Sequence, residues 1–139
     1  MMNVYEFSYP VRLDDLDYMG IVGNSNWLTF LERSRIDLLD KVGFPFSEMM
    51  KNKIGGVVAE ANVKFLKPAF FGDTLKIKVS PHSPFKKGLL LQYIVENQKN
   101  ELSLTAEIKI IFVDESGRAT KMPDKISENF FGTSIEPIS

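Results

Sequence analysis

A chain of 139 residues with 44% hydrophobic side chains has material for one buried core and not for two comfortable domains, so a single domain over 1-139 is expected. Seventeen basic against eighteen acidic residues give a formal charge of -1, with nothing that predicts attraction to a phosphate backbone, so nucleic acid is disfavoured as a partner. The absence of cysteine excludes disulfides, thiol nucleophiles and thiolate metal sites, and a single histidine, His82, excludes a histidine-rich zinc site.

The opening MMNVYEFSYPVRLDD lacks a basic segment followed by an apolar run, and no stretch approaches the ~20 apolar residues of a membrane span. A soluble, unprocessed, cytoplasmic protein is the expectation. Between Asn3 and Leu13 the odd positions Tyr5, Phe7, Tyr9, Val11 and Leu13 are apolar, while Glu6, Ser8 and Arg12 take even ones, which predicts a half-buried strand. Asp14 to Gly23 breaks that pattern with three acids and two glycines, and Asn24 or Ser25 is placed to cap a helix.

Trp27, Leu31, Ser34, Leu38 and Val42 recur at spacings of three and four, with Leu28 and Leu39 widening the stripe, which predicts an amphipathic helix of about four to five turns. Lys41 complements the terminal dipole and Gly43 suits a left-handed cap, so the helix is expected to stop there. Phe44, Pro45 and Phe46 begin a loop, beyond which only strand patterns are expected.

Alternation marks four further strands: Val57 to Phe65, Leu75 to Val79, Leu89 to Val95 and Leu102 to Phe112. Breakers lie between them, at Pro68 and Gly72, at Pro81 and Pro84, at Asn97 to Asn100 and at Asp114 to Gly117, and these read as meander turns. His82 falls in the second of these connections, as a surface loop residue. The tail from Pro123 to Phe131 suits a short helix. One apolar-faced helix among five antiparallel strands buries its stripe only if the sheet curls around it, an α+β arrangement.

The stretch DYMGIVGNSN, Asp17 to Asn26, carries the chemistry. It sets a carboxylate beside the free amides of a helix N-terminus, an arrangement able to attack and polarise a carbonyl. The amides of Gly23, Asn24 and Ser25 are the expected oxyanion donors. No Glu stands three residues after Asn24 or Ser25, so a full capping box is absent and donors are left over for a ligand. A bare Asp in such a turn usually bonds its own backbone, which is the competing reading of Asp17. No Gly-x-Ser-x-Gly elbow accompanies His82, and neither a phosphate loop nor a dinucleotide fingerprint is present.

Asp17, Gly20, Ile21, Val22, Asn24, Asn26 and Trp27 together resemble the first signature of the hotdog-fold acyl-CoA thioesterases of the 4-hydroxybenzoyl-CoA thioesterase-like group. The segment Val63 to Leu75, VKFLKPAFFGDTL, is similar to the group's second signature, and Asp114 to Gly117 with Arg118 and Pro123 fits its last hairpin and tail. The resemblance implies a hotdog fold, a curled five-stranded antiparallel sheet wrapped around one long helix. It also implies acyl-CoA as substrate, homodimeric or homotetrameric assembly, and no cofactor, since CoA is part of substrate and product.

By that resemblance Asp17 is the catalytic carboxylate, as nucleophile on the thioester carbonyl or as general base on a water, and it is ionised at neutral pH for either task. Asn26 and Trp27 continue the motif and are expected at the substrate. Glu32, on the helix, is the rival carboxylate, with an ion pair to Arg33 or Arg35 as its ordinary role. Glu60 and Asn62 alternate with the apolar set of their strand and are expected to face a partner subunit and its acyl group. Lys86, Lys87 and Gly88, between two strands, are the candidate binders of the coenzyme's phosphates, with Arg118 and Lys121 as second choice. The chain departs from the group at Asn24, where many relatives carry His. Asn cannot transfer a proton in that way, so a noncatalytic acyl-CoA binding hotdog protein is the alternative.

Overall fold

Period-two burial organises β1 (Tyr5–Pro10), β3 (Thr74–Phe85), β4 (Gly88–Glu96) and β5 (Leu102–Asp114), and pairing along one flank of β5 adds β2 (Ile54–Phe65). A computed structural model, which describes residues 3–132, joins them in one antiparallel sheet of order β1-β3-β4-β5-β2. Leu75, Ile77 and Val79 of β3, Leu89 to Val95 at alternate positions of β4, and Leu104 to Phe112 at alternate positions of β5 are all buried. They meet the stripe Trp27, Phe30, Leu31, Ser34 and Leu38 of α1 (Asn24–Lys41), around which the sheet curls. Ser34 satisfies itself there by donating its hydroxyl to the Leu31 carbonyl at 2.7 Å. Helix α3 (Asp124–Phe131) adds Ile126 and Phe130 to the same core.

Several boundaries differ from the sequence reading. β1 ends at Pro10, because Val11 turns its amide to the Asp73 carbonyl at 2.8 Å and Leu13–Asp15 coil into a 3-10 turn that leaves Leu13 exposed. The segment expected to be loop after Pro45 contains a second helix, α2 (Phe46–Asn52); at seven residues it is too short to print a period in the sequence. β3 runs through Pro81 and Pro84 rather than breaking there. Its pairing with β1 stops at Val79, and past that point the strand is an edge on that side, where a residue without an N–H is tolerated. His82 therefore lies on a strand, with Nε2 3.3 Å from Glu107 and Nδ1 3.0 Å from the Ser83 hydroxyl.

Only β3, β4 and β5 form a meander. The Pro68–Gly72 connection instead carries the chain from β2, at one edge of the sheet, to β3 beside the other. β2 also carries a bulge between Val58 and Glu60. Ala61, Val63 and Phe65 stand opposite the buried Ile108, Ala106 and Leu104, but beyond the extra residue it is Val58 and Gly56 that face Ile110 and Phe112. Val57 thus leaves the alternating set to which the sequence assigned it.

Candidate active site

The loop before α1 is zipped onto the β2–β3 connection. Val22 donates to the Ala69 carbonyl at 2.9 Å, Ile21 bridges Phe70, and Leu16 bridges Val22. Within this clasp Asp17 closes a tight turn: its amide donates to Ile21 at 2.8 Å, its carbonyl accepts from Gly20 at 3.0 Å, and Gly20 supplies the positive φ of 80° that the turn demands. The Asp17 side chain takes part. Its Oδ1 accepts from the Met19 amide at 2.8 Å, an Asx turn, so the ordinary role of a turn aspartate is present in the structure.

The other oxygen is differently placed. A Cβ built on Gly23 would lie 3.7 Å from Asp17 Oδ2 and 3.5 Å from Asp17 Cβ, so the carboxylate sits directly against the residue that opens α1. Gly23, not Asn24 or Ser25, is the N-cap. Its backbone is extended, its carbonyl accepts from Trp27 at 3.0 Å, and Asn24 is already the first helical residue. A glycine cap has no side chain to spend on the helix, so the amides of Gly23, Asn24 and Ser25 have no acceptor among the described residues. An exposed carboxylate and three open amides at the positive end of an 18-residue helix form an arrangement suited to a carbonyl group.

Asn26 and Trp27 sit differently from expectation. Asn26 donates its side-chain amide to the Asp15 carbonyl at 2.7 Å and so ties the Asp17 turn to the helix; Asp15, itself buried, accepts from the Arg12 amide at 2.8 Å. Asn26 thus holds the site in place. Trp27 is only 3% exposed and packs on Phe30 at 6.2 Å between ring centroids, a core residue and not a surface offered to substrate. Among the described residues Glu32 makes no ion pair. Arg33 instead stacks over Tyr9 and Phe30, and Arg35 donates to the Tyr93 hydroxyl at 3.3 Å.

Glu60 and Asn62 are exposed on β2, opposite Lys109 and Glu107. Lys86, Lys87 and Gly88 occupy the β3–β4 turn, at the other end of a twelve-residue strand that starts beside the Asp17 clasp, roughly 35–40 Å away along the strand. One chain does not bring them to Asp17. The turn is tied down by its own backbone, with the Lys86 carbonyl accepting from Met122 at 2.9 Å and the Lys87 carbonyl from Phe112 at 2.8 Å. Arg118 and Lys121 share that end; Arg118 donates its amide to Asp114, and Lys121 pairs with Asp124 at 3.2 Å. Among the described residues no group of three or more His, Cys, Asp or Glu side chains is arranged to hold a metal ion, and no helix is long and apolar enough to cross a membrane.

Sequence reasoning missed a cavity of about 400 Å3 on the flank of α1, walled by α2, β2 and the inner faces of β4 and β5. Its wall residues come from six elements, Phe130 of α3 included, and no local spacing signals such a space.

Comparison with known proteins places the chain. Residues 11–130 match the model of the Thioesterase-like superfamily. Acyl-CoA thioester hydrolase YbgC of Escherichia coli is 30% identical over 115 residues, covering 81% of this chain and 86% of its own. YneP of Bacillus subtilis, which carries a provisional acyl-CoA thioesterase name, is 31% identical over 116 residues, 82% of this chain and 83% of its own. A solved structure of a gentisyl-coenzyme A thioesterase superposes with a TM-score of 0.79 at 26% identity, covering 89% of this chain and 98% of that one.

Proposed function

The chain belongs to the thioesterase-like superfamily, and on that footing we propose that it hydrolyses an acyl-CoA thioester to a free carboxylic acid and CoA at the Asp17 end of α1. One observation carries the reading: Asp17 Oδ2 lies against Gly23 at the mouth of a helix whose leading amides are unspent. A thioester carbonyl set on those amides is stabilised as its oxygen becomes negative, by about 3 kcal/mol per well-placed donor. The carboxylate then has two routes. It attacks the carbonyl carbon, expelling the CoA thiolate and leaving a mixed anhydride that water opens, or it takes a proton from a water that attacks directly. Both routes end in acid plus thiol, and neither calls on a metal or redox cofactor.

Assembly is part of the same proposal. Among the described residues β2 is paired on one side only, by β5, and residues 56 to 62 are all exposed. We read its free edge as the seat of a second copy, giving a homodimer that can pair again into a tetramer. Glu60 and Asn62 then lie at the subunit contact, and Lys86, Lys87 and Gly88 reach a coenzyme only when a neighbouring chain supplies them.

The rival reading, a noncatalytic acyl-CoA binder, draws on the Asx turn, which gives the Asp17 carboxylate a structural task. Thiol release from a panel of acyl-CoAs separates the two. The hydrolase reading expects stoichiometric thiol that rises with time in wild type and falls at least about a hundredfold in rate in Asp17→Asn. Thermal stabilisation by acyl-CoA without thiol release would establish the binder instead.

A further inference from the structure

The cavity beside α1 has the volume of a small-molecule site, about 400 Å3. Leu38, Leu39, Met49, Leu89, Ile110 and Phe112 make most of its wall apolar, and Glu32 and Arg35 of α1 are its charged members. Counted at 1.5 Å per residue from Asn24, Arg35 lies about 16 Å along the helix axis from the amides that face Asp17. A group held at Arg35 is therefore not a group held at Asp17.

Arg35 has five N–H donors and uses one, on the Tyr93 hydroxyl; it makes no ion pair among the described residues. Tyr93 is fully buried and follows Leu89 and Leu91 at period two on β4, on the face that lines the cavity. Its oxygen accepts from Arg35, and its own proton has no acceptor among the described residues. Burial pushes the Tyr93 phenol up to about 12, against a smaller lowering by Arg35, so at neutral pH the hydroxyl remains a donor. Tyr93 stands behind Arg35 and does not line the cavity; it steadies the guanidinium, whose unused donors border a space that is otherwise apolar apart from Glu32. The complementary ligand carries a carboxylate on a hydrocarbon tail.

We infer that this cavity binds a free fatty acid, with its carboxylate on the Arg35 guanidinium, which Tyr93 holds from behind, and its tail among Leu38, Leu89, Ile110 and Phe112, as a site separate from Asp17. Glu32 stands three residues before Arg35 on the same wall and opposes the ligand's charge, so it weakens the site rather than building it. The inference goes beyond hydrolysis and does not depend on it. If hydrolysis holds as well, the ligand is of the same class as the acid released, and the cavity is a place where product is retained.

Calorimetric titration of the purified protein with decanoate, with 1-decanol as the uncharged control, tests this. Wild type is expected to take up decanoate and to bind decanol at least about tenfold more weakly. Arg35→Met is expected to lose about tenfold in decanoate affinity, Arg35→Lys to fall between, and Glu32→Gln to gain a few-fold, with Asp17→Asn unchanged. Glu32→Gln is exposed and leaves the core untouched, so it decides the matter even if Arg35→Met fails to fold. Equal affinity for decanol, an unmoved Glu32→Gln, a loss in Asp17→Asn, or no uptake by wild type each overturns the site. Protein that releases thiol but takes up no decanoate rejects the cavity alone, and protein that binds decanoate without releasing thiol rejects the hydrolase alone.

Discussion

At the Phe85–Gly88 end of the sheet a Cβ added to Gly88 would stand 1.9 Å from the Ile110 carbonyl oxygen; at the Asp17 end one added to Gly23 meets the aspartate at 3.5 and 3.7 Å, ordinary contact distance. The first end is filled by its own backbone. Phe112, Thr120 and Met122 all donate across it at 2.8 to 2.9 Å. The second end keeps three amides and a carboxylate oxygen unspent beside space large enough for a methyl group. Room beside unspent backbone donors, more than the kind of residue present, distinguishes the end proposed as reactive from the one closed by its own backbone.

Substitutions that exchange the two ends' properties sharpen this contrast. The largest effect is expected from Gly88→Ala, which drives a methyl group into a backbone oxygen and should cost about 3 kcal/mol or more, read as a fall in the denaturation midpoint. Next comes Asp17→Asn. Asparagine can still accept from Met19, so stability should stay within about 0.5 kcal/mol of wild type while turnover drops at least about a hundredfold, roughly 2.7 kcal/mol of barrier. A variant that loses stability and keeps turnover would reverse the assignment of the two ends.

Gly23→Ala is the finer probe. With φ at -69° the backbone accepts alanine, so the fold should persist while the methyl crowds the carboxylate and slows turnover by about tenfold in a thiol-release assay. Asn26→Ala removes the tie to Asp15 and is expected to cost about 1 kcal/mol in chemical denaturation. The smallest effect concerns Glu101. Hydrogen bonds from Lys67 and then Asn97 hold its carboxyl below the usual carboxylate range. Its contribution is complete above the unfolded-state value and is lost as pH falls through the depressed folded one. Lys67→Met should flatten that acid-side decline in a stability-against-pH series.

How much of this was legible in the sequence follows the distance over which each feature is encoded. α1 and the strand cores were readable because the stripe from Trp27 to Leu38 and the alternations of β3 to β5 are local and long. The turn at Asp17 and the helix start at Gly23 lie six residues apart in the chain, so their closeness in space was also legible. The cap itself was misassigned by one or two residues, because polar Asn24 and Ser25 outrank glycine as capping types while the backbone chose Gly23.

Pairings across the chain were not legible. The placement of β2 beside β5, the contact of Arg35 with Tyr93 58 positions later, and the space walled by six elements depend on three-dimensional closure that no window contains. Trp27 shows the converse error: a motif position read as substrate-facing is taken by the core, because an aromatic at helical spacing serves both readings equally well.

The extra residue between Val58 and Glu60 has one further effect. A regular open strand offers the same ladder to a newcomer at every two-residue slip, and such edges recruit copies without end. At β2 the repeat is interrupted mid-strand, so a second chain, seated as proposed above, would find one preferred alignment and no simple way to slide. The irregularity thereby favours closed assemblies over fibres.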